Sequence, residues 1–251
     1  MRCNKNQKKK KAANPVRMDP HSRETELWND LSNFVEKMCK GRDESHGHGH
    51  MKKVAESSIK IFQEVYGQID DQNREKFLKT IAVAWLHDVA DHKYDPKGLL
   101  TGQIKEFLLK KFSESDTELI LNIIDRISYS KENKARIAGK PLDWETVLGK
   151  EGCEIRDIVS DADKLEALSK IGFERCVQYK IHSHFEKHGE YPNIEEVSKA
   201  VLEHADEKLL RLKDEFIRTK AGKALAEPLH LQLKEELDNL SAGKYKIEQG
   251  N

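Results

Sequence analysis

No stretch of this 251-residue sequence approaches the roughly 20 consecutive apolar residues of a membrane-spanning helix, and no apolar signal core follows its N-terminal lysines. Membrane insertion and secretion are therefore not expected, and a soluble cytoplasmic protein is. An excess of either charge is missing too: 44 acidic residues offset 44 Lys and Arg, with the two signs intermingled through the helical regions. That pattern describes a solvated helical surface and argues against a dedicated nucleic-acid binder, which would gather positive charge on one face. The four cysteines, Cys3, Cys39, Cys153 and Cys176, lack the close pairing of a zinc ribbon or a redox motif, so reduced thiols are expected. No long strand pattern or internal repeat interrupts the helical periodicity, which leaves an all-α class.

The length suits one large domain, although length alone would also permit two. The expected organisation is a basic tail over residues 1–24, one helical domain over 25–240 and a flexible tail over 241–251. Arg2 to Lys11 holds mostly Lys, Asn and Gln, with almost nothing to bury, and should be disordered. Lys8–Lys11 would suit nuclear import or an anionic surface, and equally a solvated tail. Within the domain, Gly67, Pro96-Lys-Gly98, Gly139-Lys-Pro141 and Gly189-Glu-Tyr-Pro192 mark breaks between helices. Residues 194–240 read as two helices, the first carrying Val197, Val201, Leu209 and Leu212.

Polar groups placed against apolar stripes are the most informative feature. His50, Val54, Ile61 and Val65 share a face at helical spacing, as do Phe77, Ile81, Ala84, Trp85 and Asp88, with His87 beside them. Ile155, Val159, Ala162 and Asp163 repeat the pattern. A His-Asp dipeptide is expected on the order of once by chance in a chain with 11 histidines, so His87-Asp88 alone is weak evidence. Burying isolated carboxylates costs several kcal/mol unless a cation or a hydrogen-bonding partner compensates, so convergence of His50, His87, Asp88 and Asp163 on one ion is the economical reading. Two imidazoles and two carboxylates suit one divalent ion from among Mn, Fe, Co, Ni, Zn and Mg.

Around these residues the sequence resembles the HD-domain superfamily of metal-dependent phosphohydrolases, in its small bacterial-type branch. The blocks that carry the likeness are residues 43–54 (DESHGHGHMKKV), 84–94 (AWLHDVADHKY), 160–172 (SDADKLEALSKIG) and 207–213 (EKLLRLK). The resemblance extends over roughly residues 25 to 240. It implies an all-helical bundle that hydrolyses phosphate esters or anhydrides, usually of small nucleotides, with His50, His87, Asp88 and Asp163 as metal ligands. Asp163, rather than the neighbouring Asp161, holds the family's ligand position. Nucleoside triphosphate hydrolysis to monophosphate and pyrophosphate is the reaction this branch most suggests, with monophosphate dephosphorylation next.

Further residues complete the expected site. Asp91, three positions after Asp88 and one turn on if the helix continues, would orient the attacking water or take its proton, or else cap the loop it opens. Lys93 and Arg175 would balance phosphate charge, with Arg175 on a helix continuous from Asp163 and interrupted near Gly172. Ser130 and Lys131 would touch the leaving phosphate or the base, or end a helix. His46, in a glycine-spaced histidine cluster, would contact a phosphate or a second metal. Two other classes stay open: a di-iron oxygenase using His46 and His92, and a regulatory module stapled by metal. The expected partner is a small-molecule nucleotide, and a homodimer through an apolar helix face is compatible with the pattern.

Overall fold

The computed structural model describes residues 22–42, 46–91, 94–140 and 142–245. The basic tail, Lys8–Lys11, His92 and Lys93 lie outside the described residues. Among the described residues ten α-helices run in the order α1 (Arg23–Met38), α2 (His48–Tyr66), α3 (Arg74–Leu86), α4 (Leu99–Leu108), α5 (Glu114–Ile124), α6 (Tyr129–Ile137), α7 (Glu145–Leu168), α8 (Lys170–His188), α9 (Ile194–Glu207) and α10 (Lys220–Ser241). No strand occurs among the described residues. None of these helices is long and apolar enough to cross a membrane.

Local chemistry sets most of the helix ends. The side chains of Ser22, Ser113, Ser128, Ser169 and Thr219 each accept a backbone N–H from the first turn that follows, and Asn193 and Glu196 form a reciprocal capping box at α9. Gly67 and Gly189, at φ 81° and 76°, close α2 and α8 in a region that favours glycine. Asp95 caps α4 with both carboxylate oxygens, accepting from Leu99 N at 2.7 Å and Leu100 N at 2.8 Å.

The core sits where α2, α3 and α7 pack against one another, with α1 and α5 closing over α3 and α10 lying along α7. Every residue of α3 from Phe77 to Leu86 is buried, Lys79 and Thr80 included, so this helix lies inside the bundle instead of presenting one face to it. Lys79 reaches Asp116 and Glu151 with its ammonium, which lets its alkyl stem pack inside. Val65 departs from its expected stripe: it lies in the last turn of α2 and is exposed, while Val54 and Ile61 are fully buried.

Two helix boundaries differ from the sequence reading. Leu209 and Leu212 are buried as expected but lie beyond α9, in a 3-10 turn (Leu209–Arg211) and a π turn (Leu212–Phe216) that lead into α10. The break between α7 and α8 falls at Ser169 instead of Gly172. Ser169 Oγ donates to the Glu166 carbonyl at 2.6 Å and accepts from Gly172 N at 3.2 Å, so one hydroxyl ends α7 and starts α8. Gly172 allows this corner to close: a Cβ there would lie 2.4 Å from the Glu166 carbonyl oxygen and 2.5 Å from that of Ala167. Gly172→Ala should therefore open the corner and destabilise the protein by about 1–3 kcal/mol. Thermal unfolding should show a Tm lower by several degrees, at about 2–4 °C per kcal/mol for a chain of this size.

Candidate metal centre

Three helices bring the expected ligands together. His50 stands in the first turn of α2, His87 and Asp88 directly follow α3, and Asp163 lies in the second half of α7. His50 Nε2 is 3.3 Å from His87 Nε2, 3.6 Å from an Asp88 carboxylate oxygen and 3.6 Å from one of Asp163. His87 Nε2 is 3.7 Å and 3.9 Å from the same two oxygens. Ligand atoms of His50, His87 and Asp163 all lie within 4.8 Å of one another.

The imidazole tautomers give the arrangement its meaning. His87 Nδ1 faces the Ala84 carbonyl at 2.9 Å, and a carbonyl can only accept, so Nδ1 carries the proton. His50 Nδ1 donates in the same way to the carboxylate of Glu166. In their neutral forms both rings therefore turn bare Nε2 lone pairs towards each other at 3.3 Å, a repulsive contact that either a metal ion or a second proton on His50 relieves. With metal-ligand bonds of about 2.0–2.2 Å, neighbouring ligands of one ion stand roughly 3–3.5 Å apart and opposite ones just over 4 Å. The separations between the two histidines and from them to the carboxylates, 3.3 to 3.9 Å, lie between those two values; Asp88 stands beside both histidines but outside the close group of His50, His87 and Asp163, and the mixed nitrogen and oxygen set fits a divalent ion.

Glu166, which the sequence reading did not single out, holds the frame. It lies three residues after Asp163 on α7, is buried, and orients the ring of His50 from behind, as a carboxylate commonly does for a metal-bound histidine. Its position between Leu165 and Leu168 on a buried face is the signal that could have found it, because a carboxylate there needs a partner. Arg42 is a second unanticipated contributor. Its guanidinium donates to the carbonyls of Asp88 at 3.1 Å and Val89 at 2.6 Å and stacks over the Tyr94 ring at 4.3 Å.

These contacts explain why α3 stops before the ligand pair, where the sequence reading continued the helix through it. The His87 ring takes the Ala84 carbonyl, Arg42 takes the carbonyls of Asp88 and Val89, and the chain turns through i to i−3 bonds at Val89 and Asp91. Asp91 is thus in a turn, half-buried, with its carbonyl accepting from Tyr94 N and Asp95 N. Asp161 points away from the cluster. It is fully buried and accepts from Arg218 N, Thr219 N and Thr219 Oγ1, which anchors the start of α10.

The other expected contacts separate into two groups. Arg175 comes to the site: its guanidinium lies 3.4 Å from Glu166 Oε1, and Lys53 Nζ stands 3.9 Å from the same oxygen. Both cations line a cleft of 320 Å³ that also includes Arg42, Gly47, His48 and Gly49. The His46 ring lies tilted against that of Tyr94 at 5.5 Å, close enough to Asp88 to help stabilise its negative charge. Ser130 and Lys131 are instead exposed on α6, with Lys131 Nζ 2.7 Å from Asp125 Oδ1. The residue of that segment which turns inward is Glu132, paired with the fully buried Arg156 at 2.9 Å and with Lys164 at 3.6 Å. Trp144 covers this buried charge cluster, stacking on Arg156 at 3.6 Å and Arg218 at 4.7 Å.

Electrostatics tie proton binding to metal binding. Burial pulls the His50 pKa down, but its hydrogen bonds to Asp88 and Glu166 and the charge of Asp163 outweigh this, so that it is pushed up to about 10 without an ion. Burial raises the Asp88 carboxyl while His87, His50 and His46 pull harder, so it ends well below the usual carboxylate range. At pH 7.5 His50 is therefore protonated and Asp88 is not. An ion needs the neutral ring, so loading should release about one proton, and apparent affinity should rise about tenfold per pH unit between pH 7 and 9. Metal titration calorimetry in buffers of different ionisation enthalpy measures that proton directly.

Neither a family model nor a curated protein sequence matches the chain. Solved structures do. Bacillus subtilis YpgQ, crystallised in complex with ADP, is 20% identical, with 90% of this chain and 97% of that one covered at TM-score 0.60. An HD-superfamily hydrolase from Bacillus thuringiensis is 22% identical, covering 88% and 97% at TM-score 0.60. The Lin1889 protein of Listeria innocua is 18% identical, covering 90% and 100% at TM-score 0.59. The chain therefore has the HD-domain fold over nearly its whole length, as the sequence blocks led one to expect.

Proposed function

We propose that the protein is a divalent-metal-dependent phosphohydrolase acting on small nucleotides, converting nucleoside triphosphates to monophosphate and pyrophosphate. The observation that carries this reading is the convergence of His50 Nε2 and His87 Nε2, 3.3 Å apart, with carboxylate oxygens of Asp88 and Asp163 beside both, a mixed nitrogen and oxygen set that fits a divalent ion. The HD-domain fold supports it, and so does the ADP bound to one similar structure.

His50, His87, Asp88 and Asp163 would hold the ion. When bound, the ion supplies Lewis acidity and makes water a nucleophile near neutral pH. The chain's own residues supply the rest. Glu166 and the Ala84 carbonyl fix the two imidazoles, and Arg42 fixes the Asp88 turn. Asp91, in the same turn, takes the proton of the water that attacks the α-phosphorus. The bond from that phosphorus to the bridging oxygen breaks, and pyrophosphate leaves opposite the entering oxygen. Lys93 and His46 add charge balance around the phosphates, and Mn, Co, Ni, Fe, Zn and Mg all suit the ligand set. A nucleotide substrate suits the cytoplasmic location that the sequence leads one to expect.

The test is metal-stripped protein reloaded with each divalent ion and given nucleoside mono-, di- and triphosphates, with phosphate and pyrophosphate release measured separately. Pyrophosphate from triphosphates supports the reading. Phosphate from monophosphates alone makes the enzyme a nucleotidase, and no turnover with any ion leaves a metal-stapled binding module.

A further inference from the structure

The cleft beside the metal centre has a composition that the four-ligand site does not require. Arg42, Lys53 and Arg175 bring three cationic side chains to a space of 320 Å³, at the small end of the roughly 300–1,000 Å³ usual for ligand sites. The rest of its lining is Ile171, His48 and two glycines, so cationic side chains dominate the cleft. Gly47 and Gly49 let the backbone come close to an occupant: a Cβ at Gly49 would meet nothing within 4 Å.

The cations are incompletely neutralised. Lys53 at 3.9 Å and Arg175 at 3.4 Å share one oxygen of Glu166, and that oxygen accepts no hydrogen bond despite being buried. The other oxygen of Glu166 is already committed to His50. Arg42 donates to two carbonyls, which engage two of its N–H groups but cancel none of its charge. An anion with several oxygens would supply what these groups lack, and it would sit one contact away from the ligands, through Glu166 to His50 and through the Asp88 carbonyl to Asp88.

We propose that this cleft seats the distal phosphates of the substrate, the part that departs as pyrophosphate, with Lys53 and Arg175 as its direct ligands and Arg42 as a fixed charge behind them. Identifying the occupant with a substrate's tail rests on the phosphohydrolase reading; the anion seat itself does not. Lys53 is half-exposed and lies one turn from His50 on α2, so it can leave Glu166 for an incoming phosphate without disturbing the helix. Selectivity for triphosphates over monophosphates would then come from charges that a monophosphate, held at the ion, does not reach.

The experiment titrates inorganic pyrophosphate into the full-length protein in the presence of EDTA, by calorimetry, so that no metal takes part. Wild type should bind. Lys53→Ala and Arg175→Ala should each weaken binding about tenfold or more, the loss of one charge-assisted contact, and Lys53→Arg should restore most of it. Lys60→Ala, an exposed lysine on the same helix, removes the same charge without effect. Circular dichroism melts verify that each variant is folded. No binding to wild type, or equal binding to wild type and both alanine variants, overturns the proposal. If pyrophosphate binds and the variants lose it while no nucleotide is hydrolysed, the seat stands and the phosphohydrolase reading fails. If triphosphates are hydrolysed and the variants change neither pyrophosphate binding nor KM, the seat fails and the reading stands.

Discussion

His87→Ala should leave a folded protein that neither retains a divalent ion nor turns over a nucleotide. The side chain is buried beside His50, and its orientation is fixed by the Ala84 carbonyl, so no neighbouring ligand can move into its place. Losing the ion removes several kcal/mol of transition-state stabilisation, and each 1.4 kcal/mol is tenfold, so kcat/KM should fall on the order of a thousandfold or more. Asp88→Ala should do the same. Because the ligands act as one unit, the double variant should be little worse than either single one. Metal content after gel filtration and initial rates on a triphosphate measure both effects. A His87→Ala protein that keeps its ion and half its rate would remove this site from the mechanism.

The second large effect belongs to Glu166. Its carboxylate is the only group described behind the His50 ring, so Glu166→Ala should free that ring to rotate and to carry its proton on either nitrogen. Metal affinity should drop about 10–100-fold, the usual cost of losing such a partner. Glu166→Gln should recover part of the loss, since its amide oxygen still accepts the Nδ1 proton while its charge is gone. Competition with a calibrated chelator gives the affinities. Equal affinity in wild type and Glu166→Ala would mean that packing alone orients the histidine.

The four candidate ligands could be picked out in the sequence because each interrupts or ends an apolar stripe, where a lone polar group is costly enough to demand an explanation, and the structure brings them together. What surrounds them was harder to see. Arg42 acts on carbonyls 46 and 47 positions away, and no local periodicity encodes a contact over that distance. Glu166 was in principle readable, three residues after Asp163 and between Leu165 and Leu168, but a chain with 44 acidic residues has many carboxylates on solvated faces. The same abundance hid Lys53. The break at Ser169 was written in a serine three residues before Gly172, yet the glycine drew the boundary because glycines usually end helices. Here it serves close packing instead, under two carbonyls that leave no room for a Cβ. The cleft was hidden in the sequence because its cations come from separate parts of the chain.

The most direct test of the central claim is diffraction from crystals grown with Mn, recorded at the manganese absorption edge. One anomalous peak within about 2.0–2.3 Å of His50 Nε2, His87 Nε2 and carboxylate oxygens of Asp88 and Asp163 is the predicted result. A fully loaded protein whose peak lies elsewhere, or crystals with no peak and the two imidazoles bridged by a proton, would contradict it.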